Sequence, residues 1–210
     1  HLKADAVTDW NKWAGDIVVD AEIGPLPAER ALAIVQAAVY EATNAITRRY
    51  SVSDIELLPP KPDASVEAAI AEANRVTLMQ LVPNQQTLIE KIYQAAISTI
   101  SDGAAKRAGI EVGAKVAQAI LAKRAQDGAA DKESYRPYTS AGTYVPTIIP
   151  EAPQWVKRVP WLMKDPAQFR PAPPPELGSD IWAQDYNEVK ALGRFDSQER
   201  TSEQTEIARF

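Results

Sequence analysis

Residues 25–50 read PLPAERALAIVQAAVYEATNAITRRY, and this stretch decides the fold class. Pro25 and Pro27 suit the first turn of a helix, where a missing N–H costs little. The residues that follow are mostly strong helix formers. Apolar side chains recur at helical spacing in two adjacent rows, so we predict a helix that is buried over most of its circumference. The first row is Leu32, Val35, Val39, Ala42 and Ile46, and the second is Ala31, Ile34, Ala38 and Ala45.

Three polar side chains, Tyr40, Glu41 and Asn44, interrupt the apolar surface of this helix. A buried polar group needs a hydrogen-bond partner, and such groups orient helices more often than they catalyse reactions. We therefore interpret all three first as structural. Glu41 is the one internal carboxylate to record as a functional candidate, because it lies on the most apolar helix, although a single carboxylate is a weak catalytic signal.

The residues before this stretch predict a helix from Val7 to Ile23, with Thr8 as its N-cap. Trp10 and Trp13 lie one turn apart on its apolar face. Such a pair could stack on a ligand, but an apolar stripe at this spacing more often belongs to the core. The core interpretation is the one we favour.

A helical hairpin is predicted over residues 65–101, after a connector at Leu57–Pro62. Its first helix begins at Ser65 and ends at Val82, before a proline, and Asn84 is the expected cap of the second. Together with the two helices described above, the hairpin makes an antiparallel bundle the simplest architecture.

A fifth helix follows and ends at Asp127 and Gly128. Gly109 and Gly113 lie one turn apart on it. They could allow a ligand to approach the backbone, but we favour a tight helix crossing. Neither glycine follows a strand, so the sequence does not support a phosphate-binding loop.

The character of the chain changes at Gly128. Residues 128–175 hold most of the sixteen prolines and several aromatic residues, without a sustained helical or strand period. Long structureless segments are uncommon in compact domains, and aromatic residues argue against a free linker. We predict an ordered strap laid over the helices, which could line the rim of a pocket. The predicted organisation is a helical scaffold over residues 1–127, the strap over 128–175 and C-terminal helices over 176–210.

Two helices are predicted after the strap. Ser179 or Asp180 caps the first, which closes at Gly193, and Thr201 with Gln204 forms a capping-box pattern that opens the second. No C-cap follows this last helix before Phe210, so we expect that the chain is cut in mid-helix and that the scaffold is half of a larger helical domain.

Composition limits the classes of function. The formal net charge is −5 and the basic residues are scattered, which argues against nucleic acid or an anionic membrane as the main partner. The chain has no cysteine, and its single histidine is His1, so we assign no catalytic, cofactor-binding or metal-ligating residue. Arg158, Arg170 and Arg200 could bind an oxyanion, but ordinary surface roles are the more frequent explanation.

Five segments of the chain together carry a family resemblance. They are PLPAERALAIVQAAVYEATNAI (residues 25–46), SDGAAKRAGIEVGAKVAQAILAKRAQDG (101–128), PQWVKRVPWLMKDPAQFRPAPPPEL (153–177), SDIWAQDYNEVKALG (179–193) and SQERTSEQTEIARF (197–210). In this order they resemble the N-terminal half of bacterial vanadium-dependent haloperoxidases, which belong with the type 2 phosphatidic acid phosphatase superfamily. The resemblance covers about Trp10 to Phe210 and implies an all-α fold.

The family places its catalytic groups downstream of these segments. They are a lysine, two arginines, a Ser-Gly-His element and a second histidine, which together hold vanadate or a phosphoryl group, and none can be placed on this chain. The resemblance therefore implies that the chain alone is inactive and that a C-terminal catalytic half, in the same or a second chain, completes it. It also implies a secreted or periplasmic protein that could form homo-oligomers.

The resemblance leaves the activity open. With vanadate the complete protein would use peroxide to oxidise halide, and as an acid phosphatase it would transfer a phosphoryl group to histidine. A helical interaction module without a catalytic half is the non-enzymatic alternative.

Overall fold

The computed structural model describes residues 5–51 and 63–210, and every regular element within them is helical. The predicted all-α class is therefore confirmed. The seven α-helices of these residues are α1 (Ala6–Asp20), α2 (Pro25–Thr47), α3 (Val66–Leu81), α4 (Gln86–Ser98), α5 (Ala104–Arg124), α6 (Asp180–Gly193) and α7 (Ser202–Arg209). Short 3-10 turns lie at Pro83–Gln85 and Pro153–Lys157. The predicted connector Leu57–Pro62 lies outside the described residues.

The chain divides into two units, one that ends at Asp127 and one that begins at Gly128. Helices α1 to α5 form the first unit around one apolar core. Within it, α3 packs against all four of the other helices, whereas the sequence pattern had indicated α2 as the organising element. The apolar rows of α2 are buried as predicted, apart from the half-buried Leu32, because α1, α3 and α5 all pack against that helix.

Side-chain hydrogen bonds cap the N-termini of two helices in the first unit, α1 and α3. Ser65 caps α3 as predicted, since its hydroxyl accepts the Ala68 N–H at 3.1 Å. The predicted cap Thr8 is wrong, because the Asp5 carboxylate accepts the N–H of Thr8 and so caps α1 one turn earlier. The predicted cap Asn84 is also wrong, since it lies in the 3-10 turn and its side chain donates to the Ala21 carbonyl.

Helix α2 ends at Thr47, where Arg48 adopts a left-handed conformation with φ of 53°. The buried Asn44 holds the chain that leaves the helix, because its side chain accepts the N–H of Tyr50 at 2.9 Å and donates to the Tyr50 carbonyl at 3.2 Å. The structural role expected for Asn44 is therefore confirmed. Tyr40 differs from the expectation, since it is exposed and its ring lies 5.8 Å from that of Tyr50.

The crossing of α3 and α5 depends on glycine. A Cβ on Gly109 would lie 2.9 Å from Ala68 Cβ and would clash with the Ser65 carbonyl. A Cβ on Gly113 would lie 3.0 Å from Glu72 Cβ and would clash with another α3 carbonyl. The predicted tight helix crossing is therefore confirmed at both positions.

The second unit contains the irregular segment, α6 and α7. Ser179 caps α6 through the N–H of Trp182, and both hydrogen bonds of the capping box join Thr201 to Gln204, as predicted. No residue in 128–210 is buried. The second unit therefore keeps its large apolar side chains exposed or half-buried. That the strap lies over the helices of the first unit stays a prediction.

Candidate functional site

Glu41, the carboxylate recorded as a functional candidate from the sequence, has incomplete hydrogen bonding in the structure. The residue is 7% exposed, and its Oε2 atom is buried without a hydrogen-bond partner among the described residues. A buried carboxylate oxygen normally has a donor. Glu41 is therefore an unusual carboxylate, and none of the hydrogen bonds described here joins it to a second catalytic group.

A polar cluster that the sequence analysis missed lies between α3 and α4. Arg75 donates two hydrogen bonds to the buried Glu72 carboxylate, from Nε at 2.9 Å and from Nη2 at 2.6 Å. Its guanidinium carbon lies 4.8 Å from the centre of the Tyr93 ring, and its Nη1 lies 3.6 Å from Glu90 Oε2. The spacing of Glu72 and Arg75 was a visible signal for an ion pair on one helix. Tyr93 and Glu90 lie on α4, so they come next to this ion pair only because α3 and α4 pack together.

This cluster predicts an unusual tyrosine titration. Burial, together with the nearby Glu72 carboxylate, raises the pKa of Tyr93 to about 12 from the ordinary value of 10.0. Between these values the unfolded state holds fewer protons than the folded state. The contribution of Tyr93 to stability is therefore fully present below pH 10 and is lost as the pH rises toward 12.

We expect folded native protein and the Tyr93→Phe variant to show the same tyrosinate absorbance up to about pH 11, halfway between the two pKa values. In urea the two curves should separate near pH 10 by the absorbance of one tyrosine. A separation near pH 10 in the folded proteins would contradict the raised pKa.

A second buried cluster joins α2 to the end of α5. The Asp127 carboxylate accepts from Arg30 Nε at 3.0 Å and from Arg124 Nη2 at 3.1 Å. Arg30 Nη2 also donates to the Arg124 carbonyl at 2.8 Å. The side chains of Arg124 and Asp127 are 3% and 2% exposed. Because one carboxylate balances these two guanidinium groups where solvent is largely excluded, the cluster is a structural connection.

The three arginines proposed from the sequence as oxyanion ligands have different environments. Arg200 donates to the carbonyls of Leu192 and Arg194 at 2.6 and 2.9 Å, and so satisfies the C-terminal end of α6. The guanidinium carbon of Arg158 lies 4.3 Å from the centre of the Trp155 ring. Arg170 is exposed. These residues do not form the convergent ring that vanadate requires.

Among the described residues there is no histidine to supply an imidazole to vanadate, since the single histidine is His1, outside those residues. Within residues 5–51 and 63–210, no group of three or more His, Asp or Glu side chains is placed to hold a metal ion. The described residues therefore do not fit vanadate.

The strap forms a cavity of about 460 Å³ within the second unit. Four prolines and two isoleucines line it, together with Glu133, Tyr135, Arg136 and Thr147. Arg136 donates to the Glu133 carboxylate at 3.0 Å and to the Tyr135 carbonyl at 2.6 Å, so its charge is largely compensated. This cavity suits an apolar or aromatic group better than an anion.

No protein-family model, curated protein or solved structure matches this chain. None of the described helices combines the length and the apolar character that crossing a bilayer requires.

Proposed function

We propose that this chain is the helical scaffold part of a vanadium-dependent haloperoxidase-like enzyme, whose catalytic groups lie on polypeptide that packs against it. The observation that carries the proposal is the exposure of the second unit. Two well-capped helices there carry large apolar residues, yet no residue of 128–210 is buried. Exposed apolar surface on this scale is typical of a surface that other polypeptide covers.

Helix α6 supplies the clearest docking face. Trp182 and Tyr186 stack with ring centres 5.3 Å apart, and Val189 lies one turn further along the same face and is exposed. On α7, Ile207 is also exposed. An apolar helix face of this kind supports association with another helical element. The same faces favour one second candidate, a non-enzymatic helical interaction module.

Native mass spectrometry of the purified particle, followed by denaturation, tests the proposal. The expected result is polypeptide additional to the 23.0 kDa of this chain, joined to it or separate, and vanadate-dependent bromination of an indicator by peroxide and bromide. Hydrolysis of a phosphate ester without bromination would replace the haloperoxidase with the related acid phosphatase. A folded particle of 23.0 kDa with neither activity would contradict the proposal that the chain is part of an enzyme, and it would favour the interaction module.

Two charge-matched variants of α6 sharpen this test. Val189→Asp places a carboxylate on the face that carries Trp182 and Tyr186, whereas Gln184→Asp places one on the opposite face of the same exposed helix. We expect Val189→Asp to abolish the activity and, where the catalytic part is a separate chain, to release that chain from the particle. Gln184→Asp should retain both the activity and the association. Equal behaviour of the two variants would show that this face does not bind the catalytic part.

A further inference from the structure

A cavity of about 710 Å³ lies in the first unit, where α1, α3 and α4 meet. Among the described residues its lining contains three carboxylates and two tryptophans, and no lysine, arginine or histidine. Asp5, Asp9, Trp10 and Trp13 come from α1 and its cap, and Glu67 comes from the first turn of α3. Small or apolar side chains supply most of the rest. The cavity is independent of the strap and of every group used in the proposed function.

The two tryptophans form an aromatic wall. Their ring centres are 5.3 Å apart with an angle of 82° between the planes, so the edge of one ring meets the face of the other. Trp10 is 2% exposed, as the core interpretation predicted, whereas Trp13 is only partly buried. Both rings line the cavity, so the indole surface is available to a ligand within it.

The carboxylates make the cavity electronegative. Asp5 accepts the N–H and the hydroxyl of Thr8 at 2.9 and 3.0 Å, and these hydrogen bonds lower the pKa of its carboxyl. Glu67 accepts the Ser65 hydroxyl at 3.2 Å. Among the described residues none of the three acids, Asp5, Asp9 or Glu67, has a cationic partner. The negative charge here is therefore not neutralised by the described part of the chain.

We propose that this cavity binds a small organic cation, an alkylammonium or guanidinium group. A cation over an indole face is attracted by the ring quadrupole, and more strongly where the site is partly desolvated. Carboxylates at the rim strengthen the same binding through charge-assisted hydrogen bonds. Electrostatics and cavity shape favour the same ligand, which can be a free amine or the side chain of a basic peptide.

Titration calorimetry on the full chain compares the affinities of charged and neutral probes, and so distinguishes a cation-binding site from a cavity that binds apolar groups. The probes are choline, N-acetyl-arginine amide and 3,3-dimethylbutan-1-ol, the neutral isostere of choline. We expect at least one cation to bind and the neutral alcohol to bind at least about tenfold more weakly. Tighter binding of choline would indicate a free alkylammonium compound as the ligand, and tighter binding of the arginine amide would indicate a basic peptide. Equal binding of choline and the alcohol, or no binding of either cation, would overturn the proposal.

Three variants locate the site. Asp9→Asn removes one charge with little change in shape, and we expect it to weaken cation binding by about tenfold. Trp13→Leu should weaken it similarly, whereas Trp13→Phe keeps an aromatic face and should restore part of the affinity. The matched control is Asp20→Asn, at the exposed far end of α1, and it should leave the affinity unchanged.

Thermal unfolding followed by circular dichroism shows whether Trp13→Leu folds. If it does not fold, the affinity of Asp9→Asn decides the test. Native affinity in Asp9→Asn would overturn the assignment of the site.

Discussion

Replacing Asp127 with alanine is expected to lower the free energy of unfolding of the first unit by roughly 3–5 kcal/mol. The reason is that Asp127 accepts hydrogen bonds from both Arg30 and Arg124, and the side chain of Arg124 is 3% exposed. Without the carboxylate these guanidinium groups lose a shared counter-charge in a poorly solvated place. Urea unfolding monitored by circular dichroism measures the change directly.

Asp102→Ala is the matched control for Asp127→Ala. Asp102 also forms an ion pair, with Lys106 Nζ at 2.8 Å, but its side chain is 96% exposed. Because solvent screens such a pair, we expect almost no change in the unfolding free energy. If the two alanine variants were equally stable, the Asp127 cluster would not be the connection between α2 and α5 that its geometry indicates.

Replacing Gly113 with alanine is expected to destabilise the first unit by roughly 1–3 kcal/mol, even though alanine is the better helix former. The added Cβ would clash with a backbone carbonyl of α3, so the two helices would have to separate. Gly109→Ala should act in the same direction, because its Cβ would meet the Ser65 carbonyl. Thermal or urea unfolding of each variant tests the effect.

Gly15→Ala is the internal control for these glycine variants. Gly15 lies within α1, and a Cβ there would meet no atom within 4 Å. The same substitution should therefore stabilise the protein by up to about 1 kcal/mol through helix propensity alone. Stabilisation by Gly113→Ala as well would show that α3 and α5 do not cross as closely as described.

The helices and most of their ends could be predicted because their signals are local. Ser65 and Thr201 cap helices through bonds to residues three positions away, so the pattern alone predicts them. The cap predicted at Asn84 was wrong because the Asn84 side chain donates to the Ala21 carbonyl, 63 residues away, and this contact exists only in the packed structure. Asp5 was missed as a cap because Asp5 and Thr8 are both good capping residues, and only the backbone shows which one accepts.

The candidate sites were much less predictable. Glu41 was found from its apolar surroundings, but the Glu72–Arg75–Tyr93 cluster needed two helices to meet. The sequence pattern assigned both Trp10 and Trp13 to the core. Trp10 is buried there, whereas Trp13 is only partly buried. The cavity beside them combines α1 with Glu67 of α3 and residues of α4, and no pattern within one helix reveals it.

The sequence by itself determined that this protein is helical, which faces of α1 to α5 are apolar and where the irregular segment begins. These properties depend on interactions within about one helical turn, and residue order specifies them directly. Only the tertiary structure decided that α3 is the helix packed against the other four of its unit, and that Arg30 meets a carboxylate 97 residues away. Such contacts depend on how whole helix surfaces fit together, because many partners offer similar apolar faces and only shape and charge distinguish them.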